Sequence, residues 1–186
     1  SIMIKVCLAD NYPVVHFGVK SYFKEHADIA IVANVGNFSM VKDVLYTKEI
    51  DVLVLDLDLD GLSSIYELKA IIKNYTKTKI IVFSSYSEQI YAPNAIKAGV
   101  AGYVHKTAKL ETLGIAIVKV HQGQTILNDT IKRNLALIAK QNKSERLYRK
   151  LSNREIEVLR YLSNGKKNNE ISSILGLNEK TISTYK

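Results

Sequence analysis

Over the first two thirds of the chain, apolar residues come in two kinds of block. Short apolar runs, Ile4 to Ala9, Ile29 to Val35, Val52 to Leu55, Lys79 to Phe83 and Gly102 to His105, are separated by longer stretches whose apolar positions recur every three or four residues. Runs this short and with this little alternation read as strands buried on both faces, the habit of parallel sheets. The stretches between them read as helices. Pro13 opens the first, with Val14, Val15, Gly18, Val19, Tyr22 and Phe23 on one stripe, and the preset φ of proline suits a first helical turn. Ser39 is placed to cap a helix carrying Val41, Val44 and Leu45, and Ser63 or Ser64 one carrying Ile65, Leu68, Ile71 and Ile72. Pro93 predicts the start of a short helix through Ala98, because proline is costly in a helix interior, and Gly99 its stop. Leu110, Leu113, Ile117 and Val120 mark a last helix. Five βα units with short loops predict an α/β fold, a doubly wound five-stranded parallel sheet ending near Gly123.

Beyond Gly123 the pattern changes. Asp129 to Gln141 reads as one amphipathic helix (Ile131, Leu135, Leu137, Ile138), followed by a polar, basic stretch to Lys150. Ser152-Asn153-Arg154-Glu155 is a capping box leading into Ile156, Val158, Leu159 and Leu162, and Gly165 ends that helix. A second short helix, Asn169 to Leu175, stops at Gly176, and Asn178 can cap a third beginning Glu179-Lys180-Thr181-Ile182. Short helices joined across a Gly-containing turn outline a helix-turn-helix. The expected organisation is an α/β domain over 1–124, a linker over 125–149 and a small all-α domain over 150–186.

Charge sharpens this division. Residues 1–131 hold 13 Lys+Arg and 13 Asp+Glu, whereas residues 132–186 hold 13 and 5, so the whole excess of +8 belongs to the tail. A basic tail on a neutral body fits either a polyanion partner, most often nucleic acid, or a solvated basic helix, and composition alone does not separate the two. The apolar runs fall far short of the roughly 20 residues of a membrane span, and the chain enters a strand at once with no leader, so a cytoplasmic protein is expected. Cys7 lies inside the first strand run and reads as a small buried hydrophobe. His16, His26, His105 and His121 have no metal-ligand spacing, which argues against zinc.

Chemistry enters at the strand ends. The runs end on Asp10-Asn11, Asp56, Ser84-Ser85 and, after His105, Lys106. In parallel sheets the ligand site lies outside the carboxyl ends of the strands, so these side chains are predicted to converge. Two carboxylates, an amide, hydroxyls and an ammonium would then gather at one edge of the sheet.

In this order, the elements resemble the two-domain response regulators of the LuxR/NarL type over essentially the whole chain. The resemblance implies a flavodoxin-like receiver domain followed by a helix-turn-helix effector domain. It implies Asp56 as phosphoacceptor, Lys106, Ser84 and Tyr103 as catalytic and switch residues, and Mg2+ held by Asp10, Asn11, Asp56 and the backbone carbonyl of Asp58. A phosphoryl group on Asp56 is then expected to draw Ser84 toward it, opening space for Tyr103 to turn inward. In the tail, Leu151 to Leu159 and Asn169-Glu170-Ile171 followed by Lys180-Thr181-Ile182-Ser183 look like the effector signatures. Lys180, Thr181, Ser183, Thr184 and Lys186 are the implied DNA contacts. The resemblance further implies a sensor histidine kinase or small phosphodonor as partner, DNA as target, a homodimer, and a phosphoacceptor rather than an enzyme. The chain stops at Lys186, barely two turns into the implied recognition helix, so the effector domain is expected to be truncated and its operator binding weak.

Two departures carry alternatives. Asn11 stands where the family has a second acid, which lowers the expected metal affinity and leaves open a receiver that acts without phosphorylation. Asp56-Leu57-Asp58 after an apolar strand also resembles the nucleophile motif of haloacid-dehalogenase-type phosphatases, although that motif opens its domain and is followed by later acids.

Overall fold

The computed structural model describes residues 2–127 and 129–140, so the helix-turn-helix expected over 150–186 lies outside the described residues. Strands β1 (Ile4–Ala9), β2 (Ile29–Val35), β3 (Val52–Leu55), β4 (Lys79–Ser84) and β5 (Gly102–His105) alternate with helices α1 (Pro13–Phe23), α2 (Phe38–Thr47), α3 (Tyr66–Asn74), α4 (Glu88–Lys97) and α5 (Leu110–His121). The strands form one parallel sheet in the order β2-β1-β3-β4-β5. The order reverses between β1 and β3, the switch point where a parallel sheet opens a crevice.

Both faces of the sheet are covered because its strands are apolar on both faces. Cys7, Ala9, Leu53, Leu55, Ile80 and Val82 point to the side of α2, α3 and α4, while Val6, Leu8, Val52, Val54, Ile81 and Phe83 point to α1 and α5. Alternation is thus present in the packing though not in the polarity. Burial pushes the Cys7 thiol up to about 12, which makes it a packing residue rather than a nucleophile.

Local details depart from expectation in three places. Asn37, not Ser39, caps α2, its side chain accepting from the Met40 N–H at 2.9 Å. α3 begins at Tyr66, and Ser64 serves its entry from two residues ahead, its Oγ accepting from Tyr66 N at 3.1 Å. Pro93 does not start α4 but sits inside it. Proline there forfeits a backbone bond at a cost of about 3 kcal/mol, which burial of Tyr91, Ala92 and Ala95 on the same helix offsets.

The segment after α5 stays on the body. Ile126 donates to Ala101 O at 2.8 Å and accepts from Tyr103 N at 3.1 Å, which extends pairing along the β5 edge. The amphipathic stretch becomes α6 (Asp129–Lys140), whose Ile131 is buried and whose Leu135 packs on the core cluster shared with α4.

Candidate functional site

Strand register decides which polar residues meet. Ala9 lies beside Leu55 and Leu55 beside Val82, so Asp10 and Asp56 emerge side by side at the carboxyl edge. Ser84 lies beside His105, which brings Lys106 to the same edge. The Lys106 ammonium stands 2.6 Å from Oδ2 of Asp56 and 2.6 Å from Oδ2 of Asp10. Both carboxylates are buried, and the lysine side chain is only 14% exposed.

Each carboxylate is oriented by the backbone just after it. Asp56 Oδ1 accepts from Asp58 N at 3.1 Å, and Asp10 Oδ1 from Tyr12 N at 2.8 Å. Lys106 donates to Asp56 Oδ2 and is ion-paired with the buried Asp10 Oδ2. Burial pushes the Asp56 carboxyl up. The bonds from Lys106 and Asp58 only partly oppose this, and the Asp10 charge adds to it. Burial pulls the Lys106 ammonium down, but its contacts with Asp10 and Asp56 more than reverse this and leave it raised. Two carboxylates therefore share one cation in a half-dry cleft.

Those two oxygens, meeting at a point already held by a cation, suit a hard divalent ion such as magnesium. The other two implied ligands, Asn11 and the Asp58 carbonyl, are hydrogen-bonded to each other. Asn11 Nδ2 donates to the Asp58 carbonyl at 2.7 Å, and Asn11 Oδ1 accepts from Asp60 N at 2.9 Å. The Asp58 carboxylate accepts from the Tyr86 hydroxyl at 2.7 Å.

The buried Ser84 hydroxyl accepts from Tyr86 N at 3.1 Å. Tyr103 is already inward, 2% exposed, with its hydroxyl donating to Tyr86 O at 2.9 Å. The outward position from which Tyr103 was expected to turn is not the one seen here. Burial raises the pKa of Tyr103, so it stays protonated as a donor.

Several contributors were not singled out from sequence. Tyr86 links Asp58 to Tyr103 and stacks on Tyr91 with ring centroids 5.0 Å apart. His16 Nε2 contacts Asp10 O at 2.5 Å, and the Tyr12 ring lies 5.5 Å from the Lys106 ammonium. Tyr86 follows Ser84 by two residues, so the strand-end rule that selected Ser84 reaches it if extended into the loop. Tyr86→Phe is expected to cost about 1 kcal/mol, the net worth of one partly exposed hydrogen bond, read as a shift of the urea midpoint at constant slope. Lys180, Thr181, Ser183, Thr184 and Lys186 lie outside the described residues.

Comparison with known families assigns the arrangement. Residues 6–118 match the response regulator receiver domain, and residues 149–186 match the bacterial regulatory proteins of the luxR family. This chain belongs to the LuxR-type response regulators. It is 30% identical to the Fimbriae Z protein of Escherichia coli over 97% of this chain and 86% of that one. It is 33% identical to a putative transcriptional regulator of Pseudomonas aeruginosa over 99% of this chain and 88% of that one. Its fold is that of RcsB from Salmonella typhimurium, with a TM-score of 0.73 at 23% identity over 100% of this chain and 88% of that one. The LuxR-type response regulator is a two-component regulator of transcription with a receiver and a DNA-binding domain. Receiver domains typically bind Mg2+ for phosphorylation. Neither the phosphatase alternative nor the receiver that acts without phosphorylation gains support from these matches. Among the described residues no helix is long and apolar enough to cross a membrane.

Proposed function

We propose that Asp56 accepts a phosphoryl group from a sensor histidine kinase or a small phosphodonor, and that this controls DNA binding by the C-terminal domain. The observation that carries this reading is the Lys106 ammonium within 2.6 Å of both buried carboxylates, beside the buried Ser84 hydroxyl. Ionised Asp56 is the nucleophile. Its oxygen bonds to the donor's phosphorus as the donor's own bond to phosphorus breaks, so the product is an acyl phosphate and the donor leaves with the bonding pair. The Asp58 N–H holds the carboxylate in orientation. Lys106 leaves Oδ2 to follow an incoming phosphoryl oxygen, and the Ser84 hydroxyl donates a hydrogen bond to another. Magnesium, when bound by Asp10 and Asp56, supplies further neutralisation of phosphoryl charge.

Ser84 also couples the cleft to its surroundings. A phosphoryl oxygen that takes the Ser84 hydroxyl draws it from the Tyr86 N–H; Tyr86 O in turn holds the Tyr103 hydroxyl, and the Tyr103 backbone N–H is bonded to Ile126. A local hydrogen-bond event then bears on the segment leading into α6. In this reading residues 1–124 are the receiver, 125–149 the linker and 150–186 the DNA-binding domain. Lys180, Thr181, Ser183, Thr184 and Lys186 face DNA, the chain acts as a homodimer in the cytoplasm, and Asp56 is phosphorylated once rather than turning over.

Acetyl phosphate and magnesium are expected to add one phosphoryl group to the chain by intact mass, and none to the Asp56→Asn chain. Equal mass gain in both would refute Asp56 as the acceptor. Continuous release of phosphate from a phosphate ester would instead favour an enzyme.

A further inference from the structure

We propose that the Asn11 amide is a positioning group that stands in for a cation at the mouth of the cleft, fixing the Asp58–Asp60 turn before any divalent ion binds. It deepens the receiver reading and rests on it only in taking Asp56 as the group that the turn serves.

The polarity of its neighbours specifies an amide. Asp58 O is a backbone acceptor at 2.7 Å and Asp60 N a backbone donor at 2.9 Å, and neither can reverse its role. Only a side chain offering a donor and an acceptor from one planar group satisfies both, which also settles which Asn11 terminus is nitrogen. The same nitrogen lies 3.3 Å from Asp60 Oδ1, so its two protons face two oxygens.

A carboxylate in this place would turn an oxygen toward the Asp58 carbonyl and the Asp60 carboxylate. That arrangement is repulsive without a positive charge between them. Asn11 supplies the positive end of an amide dipole there, covalently fixed to the end of β1. The turn is held on its other sides by protein alone. Asp58 N bonds to Asp56 Oδ1 at 3.1 Å, Asp58 Oδ1 takes the Tyr86 hydroxyl, and Asp60 O accepts from Phe38 N at 2.8 Å. Gly61 then turns the chain with φ +83, a conformation open to glycine, and Asn11 pairs with both Asp58 O and Asp60 N.

Metal binding and loop ordering are thereby uncoupled. In an acid-bearing cleft one ion would both neutralise charge and tie the turn to β1. Here the second task is already done, and the ion is left with the first.

The test is amide hydrogen exchange at Asp58 and Asp60 on the whole chain, with chelator and with millimolar magnesium. Protection in the unsubstituted chain is expected to agree within about twofold between the two conditions. Asn11→Asp is expected to lose protection by about tenfold or more without the ion and to regain most of it with magnesium, by mass action on the folded form. Asn11→Ala is expected to lose it in both conditions. Magnesium rescue separates repulsion at this point from general damage to the fold. Protection in the unsubstituted chain that depends on magnesium overturns the proposal, as does an ion-free Asn11→Asp chain as protected as its parent. If a variant does not fold, the two conditions on the unsubstituted chain decide. Phosphoryl uptake at Asp56 is read separately by intact mass, so a chain that is never phosphorylated yet keeps ion-independent protection refutes the receiver reading alone.

Discussion

Lys106→Met is expected to lower stability by about 3–5 kcal/mol at neutral pH, the scale seen when one partner of a buried ion pair is removed. The side chain of Lys106 is only 14% exposed, and the two carboxylates it serves are buried, so solvent screens little of the loss. With the ammonium gone, Asp10 and Asp56 face each other without compensation, and one of them takes up a proton in the folded state at a pH where it would be ionised in the unfolded chain. The sign follows. A carboxyl whose folded pKa is raised destabilises the fold fully above that value and not at all below the ordinary carboxylate range near about 4. The deficit of the variant is therefore expected to be full at about pH 8 and smaller at about pH 5, read from urea midpoints at constant slope. In the parent chain the Lys106 pKa is raised, so its stabilising contribution is complete below the ordinary lysine value of 10.5 and fades only as pH climbs through the folded one. A midpoint unmoved by the substitution at the higher pH would show that the carboxylates find other partners.

The parallel sheet was legible because its strands are apolar on both faces, a pattern that few other elements share. Strand ends were legible for the same reason: Asp10, Asp56, Ser84 and Lys106 directly follow four of the five runs. Register then does what no single segment encodes. It sets Ala9 against Leu55, and so brings Asp10 and Asp56 to one ammonium.

What escaped the sequence was of two kinds. Pro93 inside α4 is a case of burial overruling local preference, since Tyr91, Ala92 and Ala95 pack only if the helix runs through it. The roles of Asn11 and Tyr86 depend on the path of a loop. Asn11 entered only as an implied metal ligand in place of a second acid, and nothing in a strand-end pattern says that a turn some 47 residues away will present a carbonyl and an N–H at amide spacing. Tyr103 was expected to move inward on signalling, but its ring is already buried and its hydroxyl already donates to Tyr86 O. Periodicity reports faces and ends of elements; it carries no information on which loop atoms meet.

Asp56→Asn is expected to move stability in the opposite direction, up by about 1–2 kcal/mol at neutral pH, while ending phosphoryl uptake. Charge counting gives the direction. The parent cleft holds two carboxylates to one ammonium, and the substitution leaves one to one. The amide can keep its oxygen on the Asp58 N–H while Lys106 settles on Asp10, so the bond that orients position 56 is retained. Burial is the largest influence raising the Asp56 pKa and the Asp10 charge adds to it, so in the parent chain stability falls as pH rises through the folded value. The gain from Asp56→Asn is thus full above that value and disappears below about pH 4, where parent and variant are both uncharged at this position. The effect grows when Lys106 is already methionine, because the substitution then removes a like-charge contact that nothing offsets. A double-mutant cycle is expected to give a coupling of about 2 kcal/mol or more, with Asp56→Asn recovering much of the Lys106→Met loss. Additive changes would mean that the two side chains act independently despite their 2.6 Å contact, and a loss on Asp56→Asn alone would mean that the Lys106 bond outweighs burial. A gain in stability, together with loss of the phosphoryl acceptor, is what a functional residue held against the preference of its surroundings should yield.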